Sequence, residues 1–170
     1  AFQNVARRIT GVMVPEVHKD LSSERLLVMG WLEGANIREA RGWPYWHRVV
    51  IAETLVRLFL DGLLGGGLLH GDPHQGNYRF VRRGNDPAQV GLLDFGCVLR
   101  MNAATRKAYR QLLSLVAARG AAANGDDVAS CYLALGFDKK LLDPMVDRLP
   151  AATAALFETL LEKKTAGSEN

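Results

Sequence analysis

The chain has 170 residues, 48% of them hydrophobic and 23% charged, with a formal net charge of +3. That length suits one globular domain with a sizeable core, and the composition excludes a disordered or low-complexity chain. Lys and Arg are scattered rather than gathered into a basic stripe with aromatics between, so no nucleic-acid partner is expected. No apolar run approaches the ~18 residues that a membrane span needs.

The two cysteines, Cys97 and Cys131, form no C-x-x-C pair, and no signal peptide is visible. The expected location is cytoplasmic, with membrane association supplied only by parts of a longer protein. The opening AFQNVARR starts on Ala and reads like the middle of a helix, so an internal piece of a longer protein is expected.

Residues 11–19, GVMVPEVHK, and 24–31, ERLLVMGW, are rich in β-branched and apolar residues, and the turn-like DLSS between them predicts an antiparallel pair joined at Asp20–Ser23. LEGAN ends the strand and IREARG reads as a short helix. From Tyr45 to about Leu64, Val49, Val50, Leu55, Val56, Phe59, Leu60 and Leu63 recur at helical spacing, which predicts a long, mostly buried helix stopped by GGG at 65–67. Tyr78–Val81 and Gln89–Leu93 are expected to be short strands, with the turn residues of RRGNDPA between them. After Val98 the pattern is helical. Asn102 is expected to cap a helix near 103–119, and Asp126 or Asp127 one near 127–135. A last helix starts near 139, with Pro150 separating it from ATAALFETLLEKK, and TAGSEN is expected to fray. The fold class is α+β.

Two short stretches carry chemistry. HGDPHQGN at 70–77 fits H-x-D-x-x-x-x-N, and LLDFG at 92–96 contains D-F-G; these are the catalytic-loop and metal-binding patterns of protein-kinase-like enzymes. They flank the predicted hairpin, which would bring Asp72, Asn77 and Asp94 together. Phosphoryl transfer needs a carboxylate to orient or deprotonate the acceptor, and hard oxygen ligands to hold Mg²⁺ against the phosphates. Asp72 is then the catalytic carboxylate, and Asn77 and Asp94 are metal ligands. His74 is either a pH-dependent contact to the transferred phosphate or a loop residue bonding the backbone. His70 is expected to be structural, bonding the backbone near D-F-G. His18 and His47 read as surface or interface histidines, Trp43 and Trp46 as packing anchors, and Cys97 as a small buried hydrophobe.

The segment VPEVHKDLSSERLLVMGWLEG, followed by HGDPHQGN and LLDFG, resembles the UbiB/AarF family of atypical kinase-like proteins over residues 10 to at least 137. The resemblance implies a mostly helical kinase-like large lobe with a short catalytic hairpin and the last two strands of the small lobe. In that frame residues 1–34 are the end of the small lobe and the hinge, 35–164 the large lobe and 165–170 a disordered tail. It implies binding of ATP and Mg²⁺, a link to ubiquinone or isoprenoid-lipid metabolism, and a small-molecule or lipid acceptor at a membrane surface or in a biosynthetic complex. Met29 would be the gatekeeper, with the adenine edge on the Gly30 carbonyl and the Leu32 amide. Family members usually have Glu where Gly30 stands. The family's nucleotide-covering loop, strand lysine and K-x-G-Q segment have no counterpart in this sequence, so little turnover is expected from this chain alone. The absence of a long activation segment and of A-P-E favours a small acceptor over a peptide. Two other readings remain: an aminoglycoside- or choline-type phosphotransferase, which shares H-G-D-x-H-x-x-N, and a non-catalytic kinase-like scaffold.

Overall fold

The computed structural model describes residue 6 and residues 8–161, with side chains as far as residue 157. The expected fraying tail and most of the opening AFQNVARR lie outside the described residues. The described structure is about 52% helical with small sheets, an α+β protein, and it divides into two compact units at Arg100/Met101.

In the first unit, a three-stranded sheet has the order β1 (Val12–Met13), β4 (Gln89–Leu92), β3 (Tyr78–Val81). β3 and β4 form the expected antiparallel hairpin, with Tyr78 opposite Leu92 and Val81 opposite Gln89. β1 runs parallel to β4, Val12 opposite Val90. The expected antiparallel pairing of 11–19 with 24–31 around the 20–23 turn is present, but shortened to isolated bridges rather than two strands. Pro15 removes a ladder donor just after β1, and the two segments meet through the bridge of Val17 with Met29. His18 N–H donates to Val28 O at 2.9 Å and Gly30 N–H to Glu16 O at 2.8 Å. The Ser22 hydroxyl bonds His18 O and accepts from Val28 N–H, which replaces ladder geometry with a side-chain-stitched turn.

The short helix α1 (Ile37–Ala40) starts at a capping box: the Asn36 side chain accepts from Arg38 and Glu39 N–H, and the Glu39 carboxylate accepts from Asn36 N–H at 2.7 Å. α2 (Tyr45–Leu60) then continues as a π-helical turn, Asp61–Gly66, and stops at Gly67, whose φ of 64° suits glycine. α2 buries one stripe only, His47, Ile51, Thr54 and Leu58, while Phe59 is half exposed, so the helix is less buried than its apolar spacing suggests. That stripe packs with Phe80, Val90 and Leu92 in the core of the unit. Two three-residue strands that the sequence did not reveal, β2 (Leu68–His70) and β5 (Val98–Arg100), pair antiparallel, His70 opposite Val98.

The second unit is helical: α3 (Ala103–Arg119), α4 (Gly125–Ala134), α5 (Lys139–Leu142) and α6 (Leu149–Leu161). Asn102 caps α3, as expected, by accepting from Thr105 N–H. The cap of α4 is Asn124 rather than Asp126 or Asp127; both aspartates lie in the first turn, where the helix dipole favours them. Pro150 sits in the first turn of α6 rather than before it, where its missing N–H costs no helical bond. Leu112, Val128, Leu142 and Leu149 form this unit's core, and the buried Thr153 hydroxyl is satisfied by Leu149 O and the Tyr132 hydroxyl.

His47 is not a surface histidine. It is 2% exposed, stacked on Trp46 with ring centroids 3.6 Å apart and edge-on to Trp43. Burial, and after it the Arg82 guanidinium, hold its pKa below the ordinary value. The unfolded chain therefore takes up this proton first as pH falls. The stabilising contribution is complete above about pH 6.5 and is lost from there down to the lower folded pKa. The urea midpoint is expected to drop between about pH 7.5 and about pH 5.5, and His47→Phe should lack that part of the drop. The same pH dependence in both proteins would remove His47 from the account.

Candidate active site

Register places the two motifs side by side. Because Tyr78 opposes Leu92, the residue before β3 and the residues after β4 emerge at the same end of the hairpin, and Leu93 N–H donates to Asn77 O at 3.0 Å. A 3₁₀ turn, Gln75–Asn77, leads into β3 and is capped by His74, whose Nδ1 accepts from Gly76 N–H at 3.1 Å. His74 therefore makes the loop contact anticipated for it, and with Nδ1 as acceptor its ring proton sits on Nε2.

The Asp72 carboxylate is oriented on both sides. Oδ1 accepts from His74 N–H at 3.3 Å and Oδ2 from the Asn77 amide at 3.0 Å. The same amide nitrogen also donates to Asp72 O. With its NH₂ turned to Asp72, Asn77 keeps its Oδ1 as a hard oxygen for a cation. Asp94 closes an Asx turn, Oδ1 accepting from Gly96 N–H at 2.7 Å, which leaves Oδ2. His70 ties the two motifs together. Its Nε2–H donates to Asp94 O at 2.6 Å, and its Nδ1 accepts from Asp72 N–H at 3.3 Å, so each ring nitrogen has a backbone partner. Tyr78 stands beneath; burial, and secondly the Asp72 carboxylate, push its phenol above the ordinary range.

Cys97 is exposed rather than buried. A Cβ on Gly71 would stand 2.8 Å from its Sγ, so the glycine lets the loop of residues 70–77 pass close to Cys97 after D-F-G.

Met29 shares a cavity with Asp94, and Gly30 and Leu32 line the one beside it. A cavity of about 570 Å³ is lined by Val17, Leu27, Met29, Asp94, Phe95 and Arg100 among others. A neighbouring one of about 330 Å³ is lined by Met29, Gly30, Trp31, Leu32 and Arg79 among others. Gly30 gives its N–H to Glu16 O. Leu32 lies flat on β4, where a Cβ on Gly91 would come within 2.5 Å of Leu32 Cδ2. Leu27, Leu93 and Arg100 line the larger cavity without having been singled out from sequence. No signal in the sequence points to Arg100, because β5 is too short for its alternation to be read.

The donor set suits Mg²⁺: carboxylate and amide oxygens, with no cluster of three or more His, Cys, Asp or Glu able to hold a metal by itself among the described residues. An ion there would complete its shell with waters and phosphates. Among the described residues no helix is long and apolar enough to cross a membrane.

A family model of the ABC1 atypical kinase-like domain matches residues 1–124. An uncharacterized aarF domain-containing chloroplastic protein kinase of Arabidopsis thaliana is 32% identical over 95 residues, covering 56% of this chain and 12% of that protein. AarF domain-containing kinase 1 of Drosophila melanogaster is 27% identical over 111 residues, covering 62% and 21%. The chloroplastic protein Activity of bc1 complex kinase 1 of Arabidopsis thaliana is 29% identical over 147 residues, covering 82% and 20%. The chain thus spans between 12% and 21% of the length of these relatives.

Proposed function

The chain belongs to the ABC1 atypical kinase-like family, and from that premise we propose that it carries the metal and nucleotide residues of an Mg-ATP-dependent atypical kinase or ATPase. Asp72, held by Asn77 and by the His74 amide, orients or deprotonates the acceptor. Asn77 Oδ1 and Asp94 Oδ2 are the metal ligands, and His74 Nε2–H is a donor toward transferred phosphate. Bound Mg²⁺ would neutralise phosphate charge. Met29, which lines both cavities, would meet the base, with the Gly30 carbonyl and Leu32 amide offered as a polar edge from the neighbouring cavity. The link to ubiquinone or isoprenoid-lipid metabolism, a small-molecule or lipid acceptor, and association with a membrane surface or biosynthetic complex rest on the resemblance of VPEVHKDLSSERLLVMGWLEG and the two motifs to the UbiB type.

The observation that carries the reading is the His70 ring bonded to both motifs beside a cavity lined by Met29 and Asp94. Calorimetric titration of the chain with ADP, with and without Mg²⁺, tests it. Binding that strengthens at least about tenfold with Mg²⁺ is expected. Binding that is absent, or indifferent to the metal, would falsify the reading.

A further inference from the structure

The larger cavity is chemically lopsided. Its walls toward Met29 are aliphatic, with Pro15, Val17 and Leu27, and its lining holds one carboxylate, Asp94, and one cation, Arg100. Arg100 is the last residue of β5, six positions after Asp94, and its strand partner is Leu68 on β2. Among the described residues its side chain makes no ion pair and no hydrogen bond. Its planar fork of five N–H donors is therefore uncommitted, and it shares a cavity with Asp94, the carboxylate that would hold the metal.

We propose that Arg100 is the phosphate-binding residue of this cavity: its guanidinium takes the anionic oxygens of a nucleotide's polyphosphate while the base lies against the aliphatic wall at Met29. The inference rests on the nucleotide reading above and adds to it a residue outside both motifs. A bidentate guanidinium–phosphate contact is charge-assisted and directional. It supplies positive charge in the cavity from the chain's own side chains, at the end where Asp94 alone would repel an anion. The side chain is exposed on a short strand, so its replacement leaves the core untouched.

The test compares two probes on the whole chain: Mg-ADP, which carries phosphates, and adenosine, which does not. Arg100→Gln is expected to weaken Mg-ADP about tenfold while adenosine stays within about twofold, and Arg100→Lys to fall between. Thermal melts of both variants matching the wild type show that the fold is kept. Equal affinity of wild type and Arg100→Gln for Mg-ADP overturns the assignment, as does an equal loss for both probes, which would mean that the wall and not the phosphate contact had changed. If the wild type binds neither probe, the nucleotide reading itself fails and takes the assignment with it. Wild-type binding that survives Arg100→Gln sinks the assignment alone.

Discussion

Asp94→Asn is expected to remove the Mg²⁺-dependent part of nucleotide affinity and to lower any hydrolysis by at least about a hundredfold. The substitution is nearly isosteric. The Asn oxygen can still accept from Gly96 N–H, as Asp94 Oδ1 does at 2.7 Å, and the backbone carbonyl that receives His70 Nε2–H is unchanged. What disappears is the negative charge of the oxygen facing the cavity, and a hard dication depends on that charge. Adenosine should bind the variant as it binds the wild type. Titrations of Mg-ADP and adenosine, with a melting curve to verify the fold, separate a lost ligand from a lost structure. An Asp94→Asn protein that still responds to Mg²⁺ like the wild type would withdraw the metal role.

Phe80→Ala should produce the largest loss of stability. Phe80 is 2% exposed, in the middle of β3 and among the core side chains of the first unit. Truncating a buried Phe costs about 3–5 kcal/mol, from lost transfer energy and the cavity left behind. That is a large share of the 5–15 kcal/mol that holds a typical domain together. Phe80 also exchanges two 2.8 Å backbone bonds with Ala35, which pins the segment after Leu32 to the hairpin. Loosening β3 should therefore reach Gly30 and Leu32 as well as the core. Urea unfolding gives the energy directly, and a loss under about 1 kcal/mol would mean that the site collapses around the smaller side chain.

The motifs and their juxtaposition were more legible in the sequence than the sheets. HGDPHQGN and LLDFG could be read because side-chain type and spacing carry that information, and the turn residues of RRGNDPA fixed the hairpin whose register joins them. Asn102 was legible as a cap for the same local reason. The antiparallel pairing within 11–31 was legible but its extent was not: Pro15 and the Ser22 hydroxyl shorten the ladder to bridges, and β1 pairs with β4, far along the chain. β2 and β5 have three residues each, too few for a period to show. His47 and Thr54 went unrecognised as core because the apolar count on α2 favoured neighbours such as Val56 and Phe59, which point outward. A polar residue is buried by position on the helix, not by hydropathy.

The parallel pairing of β1 with β4 also orders events in time. Tyr78 finds Leu92 across a short loop, whereas Val12 must find Val90 across most of the first unit. Closing the longer loop costs about 1.5 kcal/mol more in chain entropy. The β3–β4 hairpin can thus form while the segment before Pro15 is still searching, and the Val90 N–H bond to Gly11 O is the latch that shuts behind it.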